Sequence, residues 1–591
     1  MKVMLGKRVE PASSGVALIL VMLAILVLSV LAASIVFSAR SETFASYNYR
    51  ISTQADYVAK AGLQKSLNFF NSDKYKAVNP SNPSTTYQAS QYAATPVTLY
   101  NATARPVICI ANCASNGRPV TLAVNSSGSF NGNYPTDITN AAGDTIPTAF
   151  ANNFYNVGLD PLSSSTDSGQ FTVSAVLEEY YTVNDAFYPT VNRKPYEVWY
   201  VKSTGTWNSN LGAGTAKPTS VQEATLAPVY LPYFANALYG MCSIDMNGSV
   251  CTDSYRSSNG TYSGATPSNC VNSGSSSSNA LASGAGIGSG GNVTLNGGSY
   301  TVNGDVSYGA DPPTYSSLWD CPSPSSGVSG SVSGVTGTVQ PVPAIPEPPM
   351  PTFPNCTQYG GSATCVGIQP DIPNPGMGNN EFVWTRNVAG SWKYSYQTKV
   401  GASTVLTDYA LTGAGTQASP FLMPTLRVNN GAICLAGGND ASTPIYYDIK
   451  SLDEGNGNIY ITRGTSAACP PSGGSPGYAV LNIYQTLSIG AQGFTQYGAP
   501  PQALVINVYN SGNNSGTSVT FNGQANVSAV ITALGNATLG GGGTGGAFYG
   551  SILAGSVTDG GSYAVHYDQS LQVLSGKLMP MAIRNYNRPK F

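Results

Sequence analysis

The chain has 591 residues, of which only 9% are charged, and its formal net charge is −2. Ordinary globular proteins carry about 25% charged residues, so this low charge, together with the lack of a basic patch, argues against nucleic acid as a partner. The 66 glycines and 37 tyrosines, with many Asn, Ser and Thr residues, are typical of extracellular β structure. The length is sufficient for two or three domains.

The first informative element is an uncharged run over residues 16–37, directly after the pair Ser14-Gly15. At 1.5 Å per residue the run is long enough to cross the ~30 Å hydrocarbon core of a bilayer as a helix. A cleaved secretory signal is the alternative, but its apolar stretch is about 7–15 residues long and ends in small residues before a loop. Here the helical pattern continues, which favours a membrane-spanning helix.

The helix is predicted to extend to Phe70, because residues 38–70 contain no proline and no glycine before Gly62. One apolar stripe follows this extension, while charged positions expected to be solvated lie off it. The stripe is Phe37, Phe44, Tyr47, Ile51 and Val58, and the charged positions are Arg40, Glu42, Arg50, Asp56 and Lys60. Residues 16–70 are therefore predicted to form one helix roughly 80 Å long. The stripe is too irregular for the sustained heptads of a coiled coil.

Charges before the run set its predicted orientation. Three basic residues stand there against a single acid, namely Lys2, Lys7 and Arg8 against Glu10. The N-terminal residues are therefore expected to stay in the cytoplasm and the chain beyond Phe37 to be translocated. The cysteines agree with export, since all ten lie beyond the run and an even number in an oxidising compartment suggests disulfides.

Cysteine spacing leaves the disulfide pairing open. Three pairs are close enough in sequence for local bridges: Cys109 with Cys113, Cys242 with Cys251, and Cys356 with Cys365. Four cysteines remain for longer bridges: Cys270, Cys321, Cys434 and Cys469. Zinc is the rival interpretation, but spacings of 4, 9 and 9 with a single histidine in the chain fit tetrahedral Cys/His sites poorly.

Residues 71–235 are predicted to form a β-rich domain of short strands between turns. Four segments are rich in Val, Thr, Tyr and Phe and have turn residues at their ends: 96–100, 119–124, 171–181 and 197–203. Glu178 and Glu179 are adjacent in one of these strands. Because neighbouring strand residues point to opposite faces, the two carboxylates are not expected to converge as a catalytic pair.

A repeat of 18 residues marks the C-terminal part of the chain. Two sets of positions share this spacing: Phe521, Leu539 and Val557, and also Val530, Phe548 and His566. A neighbouring ladder is predicted from Ile531, Tyr549 and Tyr567. Glycine-rich corners separate the coils, and equal spacing stacks each residue on its predecessor. The pattern predicts a parallel β-helix or solenoid.

An earlier segment has the same character. Residues 291–298 and 300–306 are two strand-then-Asn-Gly units that suit solenoid corners, and a hairpin with a Gly-Gly turn is the alternative. The solenoid region is predicted over 236–575, with an insertion near 312–480 that contains a proline-rich stretch. Residues 576–591 are predicted to be a solvated basic tail, with docking to an anionic partner as the alternative.

Catalytic chemistry has little support in the sequence. His566 is the only histidine, and its position between aromatic residues favours a stacked structural imidazole over a catalytic base, although Asp568 lies on the same strand face. No phosphate loop, metal-binding helix motif or dinucleotide fingerprint is present. Asp245, Asn247 and Asp253 offer oxygen ligands for calcium, but a turn explains them as well. No enzyme activity, catalytic residue or bound cofactor is therefore predicted.

Three N-terminal stretches carry a family resemblance. They are Ser14-Gly15-Val16-Ala17-Leu18-Ile19, then Ser41-Glu42-Thr43 with Tyr47-Asn48-Tyr49-Arg50, and finally residues 54–62. This N-terminus resembles a class III, type IV pilin-like prepilin and, more closely, a PilX-like minor pilin. The resemblance implies that residues 1–15 are a leader, which a prepilin peptidase removes after Gly15. Val16 would then be the new N-terminus, where the family usually has phenylalanine or methionine.

Leu20 departs from the family pattern in an informative way. Major pilins carry a glutamate at this fifth mature position, where it neutralises the terminal amine of a neighbouring subunit. An unpaired charge in that low-dielectric setting would cost several kcal/mol. By the resemblance, minor pilins without the glutamate lie at or near the filament tip, so Leu20 implies a minor, tip-proximal subunit.

Parts of the later chain also resemble the β-solenoid region appended to some PilX-like proteins. These parts are residues 253–255, 291–306, 519–523, 546–551 and 566–568. The predicted organisation is thus a leader (1–15), a transmembrane and filament-core helix (16–70), a pilin-like β domain, the solenoid and the tail.

The function expected from these features is that of a minor pilin or pilus-assembly protein that displays a disulfide-stabilised solenoid for adhesion. Its expected partners are other pilins, the assembly machinery, the prepilin peptidase, the inner membrane before assembly, and a surface glycan or protein. The expected location is the bacterial inner membrane with a periplasmic ectodomain, and then the pilus or cell surface. Two alternatives stay open: an anchored adhesin with exposed Tyr and Asn/Ser ladders that never enters a pilus, and a carbohydrate-active β-helix enzyme.

Overall fold

The computed structural model describes most of the chain after residue 13. The described residues are 14–78, 86–87, 92–93, 106–125, 128–154, 157–159, 168–184, 193–208, 217–264, 269–271, 279–296, 300–309, 326–328, 331–332, 336–338, 348–353, 381–400, 403–423, 425–428, 431–464, 469, 471–490, 492–509, 517–540, 546–561, 563–573 and 576–587. Within them the protein is mainly β, with one long N-terminal helix and a large parallel sheet. The predicted fold class is confirmed.

The N-terminal helix α1, Ser14–Phe70, is continuous, as predicted. All of residues 16–46 are exposed, including Phe37 and Phe44 of the predicted stripe. Burial starts in the second half, where one face of the helix packs on the protein. The buried apolar side chains of that face are Ala55, Val58, Ala59, Leu63, Phe69 and Phe70. The apolar stripe therefore contacts the protein only from Tyr47 onwards, and Tyr47 itself is half-buried.

An antiparallel sheet receives this second half of α1. The elements before the solenoid are β1 (Tyr92–Ala93), β2 (Ile108–Cys109), β3 (Arg118–Pro119), β4 (Thr121–Ala123), α2 (Ile146–Phe154), β5 (Val157–Leu159), β6 (Ser168–Asn184), β7 (Arg193–Asn208) and β8 (Thr219–Pro232). The predicted strands 119–124, 171–181 and 197–203 fall on β4, β6 and β7, while 96–100 lies outside the described residues. Strands β6, β7 and β8 form the centre of the sheet, and β4 and β5 pair with β6.

Glycine at position 205 allows α1 to approach β7 closely. A Cβ atom at Gly205 would lie 2.4 Å from the backbone oxygen of Ala55 and 2.4 Å from the backbone nitrogen of Ala59. Real Cβ atoms essentially never approach other atoms this closely. Small residues on both elements thus bring helix and strand backbones together, and the aromatic end of the helix packs into the core beside Trp199.

A β-bulge in β6 lies at the two adjacent glutamates. The register between β6 and β7 shifts between Leu177 and Glu179, so Glu178 is the extra residue. A bulge interrupts the alternation of side chains. Burial raises the pKa of Glu178, and the nearby charge of Glu179 raises it further, so the two carboxylates interact. The strict alternation on which the prediction for these two residues relied is therefore interrupted at Glu178.

Strands β9 to β17 form the first part of the solenoid. Their bounds are β9 (Leu238–Met246), β10 (Cys251–Tyr255), β11 (Ile287–Ser289), β12 (Asn292–Leu295), β13 (Thr301–Val302), β14 (Val306–Tyr308), β15 (Ser326–Val328), β16 (Ser331–Val332) and β17 (Thr336–Thr338). Strand β12 pairs in parallel with β9 and β15 in the adjacent coils. The solenoid units predicted at 291–306 are therefore present, and the hairpin alternative is wrong.

The second part of the solenoid continues after residue 380. Its strands are β18 (Glu381–Val388), β19 (Ser391–Val400), β20 (Ser403–Ala410), β21 (Phe421–Met423), β22 (Leu426–Val428), β23 (Gly431–Gly437), β24 (Ile445–Ile449), β25 (Leu452–Glu454), β26 (Asn458–Arg463), β27 (Ala479–Ile483), β28 (Leu487–Ile489), β29 (Phe494–Thr495), β30 (Leu504–Val508), β31 (Thr517–Phe521), β32 (Asn526–Leu539), β33 (Ala547–Asp559) and β34 (Ala564–Asp568). A final strand, β35, covers Gly576–Asn587. Strands β18, β19 and β20 are antiparallel neighbours at the outer end of this part.

Successive coils stack strand on strand. Tyr447 faces Leu481, which faces Ile506 and then Ile531, and all four lie in one hydrophobic core. The predicted insertion near 312–480 is therefore wrong for residues 421–463, whose strands pair coil on coil.

The strict 18-residue period is only partly present. Phe521 does face Leu539, but Leu539 faces Asp559 and not Val557. On another face, the residues that pair in successive coils are Asn526, Ala547 and then Ala564. They are separated in sequence by 21 and then 17 residues. The corner loops differ in length, and equal spacing in sequence therefore fails to give vertical neighbours. For this reason two further predictions are wrong: the second set, which stacked Val530, Phe548 and His566, and the ladder predicted beside it.

The chain enters the solenoid in its middle and not at one end. Strand β9 pairs with β11 and β12 on one side and with β33 on the other, where Leu238 faces Ile552. The first coil thus stacks against the last one. Strand β35 then returns to the N-terminal sheet and runs antiparallel to β8. The predicted solvated tail is therefore wrong for residues 576–587, which complete that sheet.

A ladder of polar side chains is buried along four coils. Asn507 Nδ2 donates to Asn482 Oδ1 at 3.0 Å, and Thr532 Oγ1 donates to Asn507 Oδ1 at 2.7 Å. Asn482 Nδ2 in turn donates to Asp448 Oδ1 at 2.8 Å. Buried polar groups that are satisfied in this way fix the register of the strands carrying them. This Asn ladder is internal and offers no binding surface.

Three disulfides connect described cysteines. They are Cys109–Cys113, Cys251–Cys270 and Cys434–Cys469, with Cα atoms 6.3, 5.8 and 5.9 Å apart. The first was predicted as a local bridge, whereas Cys251 pairs with Cys270 and not with Cys242. Cys242 is itself disulfide-bonded. The remaining predicted cysteines, Cys321, Cys356 and Cys365, lie outside the described residues.

Candidate functional site

The predicted processing and assembly residues lie at the start of α1. Gly15 and Val16 are both helical, and Val16 is 63% exposed. Leu20 follows one turn later and is 62% exposed. Among the described residues this is the one helix long and apolar enough to cross a membrane. An exposed apolar surface of this size is typical of a membrane or protein interaction surface.

Polar contacts connect the far half of α1 to the sheet. Asp56 forms an ion pair with Lys60 at 2.8 Å and accepts hydrogen bonds from the side chains of Gln222 and Ser220 on β8. Burial tends to raise the pKa of Asp56, but Lys60 and the β8 donors outweigh it and lower the pKa. Asp56 was expected to be solvated, and it instead helps to fix the helix on the domain.

Just after α1, a buried carboxylate ties the chain to the same sheet. Glu197 on β7 is fully buried and accepts hydrogen bonds from Tyr75 Oη and from Trp199 Nε1, the latter at 3.0 Å. Burial raises the pKa of Glu197 despite these two donors. Helix and sheet are therefore joined by both apolar and polar contacts.

The solenoid holds a buried histidine–aspartate pair. His566 Nδ1 lies 2.6 Å from Asp253 Oδ1, and both side chains are fully buried. The other carboxylate oxygen, Asp253 Oδ2, accepts hydrogen bonds from Tyr262 Oη at 2.6 Å and from the Val271 backbone N–H at 2.7 Å. The pair joins the first coil to the last one, because β10 carries Asp253 and β34 carries His566.

Aromatic rings enclose the imidazole, although the ring of Phe548, from the predicted set, is not among them. The ring of Tyr262 lies 3.9 Å from that of His566 and that of Tyr549 lies 4.8 Å away, each tilted by 30°. Asp568 was suggested as a neighbour of the imidazole because it lies on the same strand face. Its Oδ1 instead accepts hydrogen bonds from the backbone N–H groups of Ser257 and Ser570. Asp253, more than three hundred residues earlier, is the actual partner.

The cluster around His566 contains a cysteine whose disulfide bond opposes metal binding. Ligand atoms of Asp253, Cys270 and His566 lie within 4.8 Å of one another. However, the Cys270 sulfur is bonded to Cys251, and metals bind the thiolate. The oxygens of Asp253 are also engaged by His566, Tyr262 and Val271, and its side chain is fully buried.

A cavity of about 410 Å³ opens beside the histidine. Its lining comes from three distant parts of the sequence: the loop after β10, the segment around β29, and the starts of β32 and β33. Four aromatic side chains contribute to it: Tyr255, Tyr262, Phe494 and Tyr549. Burial raises the pKa of Tyr549 to about 12, and the charge of Asp253 adds to this effect. The phenol is therefore neutral at physiological pH.

Gln496 is the least satisfied group in the cavity wall. Its side chain is 5% exposed, and neither Nε2 nor Oε1 has a hydrogen-bond partner among the described residues. A buried amide left in this state costs about 1–3 kcal/mol for each unpaired group. No pattern in the sequence indicates this site, because residues from separate coils meet there only after the chain has folded.

No protein-family model, curated protein or solved structure matches the chain.

Proposed function

We propose that the protein is a minor pilin or assembly protein of a type IV pilus, located near the filament tip, and that it displays its β domains for surface contact. The observation that best supports this function is the division of α1. Residues 16–46 are exposed and mostly apolar, whereas the helix from Ala55 onwards is packed on the sheet. The exposed half would lie in the bilayer before assembly and against neighbouring helices afterwards.

Firm attachment of α1 to the sheet gives this proposal its mechanism. The close backbone contact at Gly205 and the Asp56 hydrogen bonds connect helix to domain, and the buried Glu197 holds Tyr75, which follows the helix. Extraction of the helix from the membrane would therefore carry the whole ectodomain with it. The lipid contacts of the first half would be exchanged for contacts with other apolar helices.

Leu20 supports the tip position. It lies in the exposed part of α1 and carries no charge with which to neutralise the terminal amine of another subunit. A subunit that lacks this carboxylate is best placed where no subunit ahead of it needs pairing, because an unpaired charge in low dielectric is costly.

Two measurements test the proposal. N-terminal sequencing of the membrane-extracted protein is expected to begin at Val16, and a protein beginning at Met1 would contradict processing. Immunogold labelling of sheared pili is expected to mark filament tips. Label confined to membranes, with bare pili, would instead support a permanently anchored adhesin, which the same apolar segment 16–37 could hold in the bilayer.

A Leu20→Glu variant tests the tip argument directly. The added carboxylate should allow pairing along the filament and move label from the tip into the shaft. Leu28→Glu is the matched control, since it places the same charge elsewhere in the exposed apolar segment. Unchanged pilus number and label position in Leu20→Glu would refute the role given to Leu20.

A further inference from the structure

We propose that the cavity beside His566 binds a neutral sugar ring. Its volume of about 410 Å³ lies within the range of small-molecule sites. The cavity spans the junction where the coil of β10 meets those of β29, β32 and β33, so only the fully folded solenoid contains it.

The lining residues determine the charge of the ligand. No Asp, Glu, Lys, Arg or His belongs to the described residues that line the cavity, and its polar members are hydroxyl and amide side chains such as Ser257, Asn526 and Ser528. Nothing there would balance a phosphate, a carboxylate or an amine, and an unpaired buried charge is strongly unfavourable. The ligand is therefore neutral.

Gln496 indicates the polar chemistry of the ligand. The buried amide presents one unpaired donor, Nε2, and one unpaired acceptor, Oε1. A hydroxyl group both accepts and donates, so adjacent hydroxyls on a ring can satisfy both atoms of the amide. Polyhydroxylated ligands match this requirement through many equivalent groups.

The aromatic walls indicate the shape of the ligand. Tyr255, Tyr262 and Tyr549 lie close together, with ring centroids 5.7 Å apart for the Tyr255–Tyr262 and Tyr262–Tyr549 pairs. Such rings offer flat apolar faces next to polar edges. A pyranose has the complementary form, with a C–H face for the aromatic rings and hydroxyls at its rim.

Contacts beneath the cavity hold its wall in place before any ligand arrives. The Tyr262 hydroxyl is bound to Asp253, and its ring lies against His566. The Asn279 Nδ2 atom donates to the backbone carbonyls of Arg256, Gly260 and Thr261, which ties down the loop that contributes Tyr262. A preformed wall reduces the entropy lost on binding. This inference deepens the surface-contact role of the proposed function and rests on it for the display of the site.

The test uses the full chain in lipid nanodiscs, because glycoside detergents would compete for the site. Isothermal titration calorimetry with neutral mono- and disaccharides of glucose, galactose, mannose and N-acetylglucosamine should show saturable binding of at least one of them. Gln496→Leu should weaken that binding at least tenfold. Gln492→Leu is the matched control, since it changes an exposed glutamine four residues earlier and should bind as the unaltered chain does.

A second variant guards against misfolding as the cause. Tyr549→Leu removes one aromatic wall and should also weaken binding at least tenfold, while circular dichroism verifies that both variants retain their β structure. No binding by the unaltered chain, equal binding by Gln496→Leu, or preference for an anionic sugar or a peptide would overturn the inference. Immunogold labelling of pili is independent of these outcomes. Label at the pilus tips together with no sugar binding would therefore refute the sugar site alone.

Discussion

Asp559 should make the solenoid less stable as the pH rises. It ends β33 and is fully buried, and its Oδ1 accepts a hydrogen bond from the Gly561 backbone N–H at 2.8 Å. Its Oδ2 is buried without a hydrogen-bond partner among the described residues. Burial raises the pKa of this carboxyl from 3.8 to about 7, and the Gly561 hydrogen bond offsets only part of the shift. The perturbation we consider is Asp559→Asn, which removes the titration.

The sign and size of the effect follow from proton linkage. The folded-state pKa lies above the unfolded value, so the folded protein keeps a proton that the unfolded chain has lost between about pH 4 and 7. The stabilisation from this proton is fully present below the unfolded pKa and is lost as the pH rises through about 7. A shift of about 3 units at ~1.4 kcal/mol per unit corresponds to roughly 4 kcal/mol.

Urea unfolding of the full chain in nanodiscs, followed by tyrosine fluorescence between pH 3.5 and 8, measures this effect. Relative to the unaltered protein, Asp559→Asn should gain unfolding free energy with rising pH, by up to about 4 kcal/mol over the range. Asp440→Asn is a control of opposite sign, because hydrogen bonds from Ser442 and Thr443 lower the pKa of the exposed Asp440. The reasoning would be refuted if the unfolding free energy of Asp559→Asn changed with pH in the same way as that of the unaltered chain.

Three further predictions concern packing. Gly205→Ala should destabilise the N-terminal domain by about 1–3 kcal/mol, because the new Cβ meets the backbone of α1, whereas Gly473→Ala, with nothing within 4 Å, should leave thermal unfolding unchanged. Asn507→Ala should cost about 2–4 kcal/mol in urea unfolding, since it removes a donor and an acceptor from the buried ladder; a loss below 0.5 kcal/mol would argue against the ladder. Deletion of 576–591 should expose the β8 edge and speed hydrogen exchange along β8, and unchanged exchange there would show that β35 adds no protection.

The long helix was predictable because its signal is local. An uninterrupted apolar and then amphipathic pattern needs no information from distant residues, and α1 ends at Phe70 as the sequence indicated. An aromatic environment was expected for His566, but the rings that stack on it are Tyr262 and Tyr549, and Phe548 of the predicted set is not one of them.

The missed features depend on long-range or irregular structure. Unequal corner loops shifted the register away from the 18-residue period, and a bulge at Glu178 broke the alternation on which the argument about the two glutamates relied. The Asp253 partner of His566 and the cavity at Gln496 arise only where the first and last coils meet. The C-terminal strand was missed because its basic charges were given more weight than its capacity to pair with β8.

The entry of the chain into the middle of the solenoid has a consequence for the order of folding. Because synthesis and the proposed export both run from the N-terminus, the coil of β9 and β10 emerges early, yet β33 and β34, which cover one side of it, emerge almost last. Until then that coil presents an open parallel edge, which other chains could pair with. Maturation of the solenoid and closure of the β8 edge by β35 therefore both wait for the C-terminus, so a truncated chain would carry two unprotected edges at once.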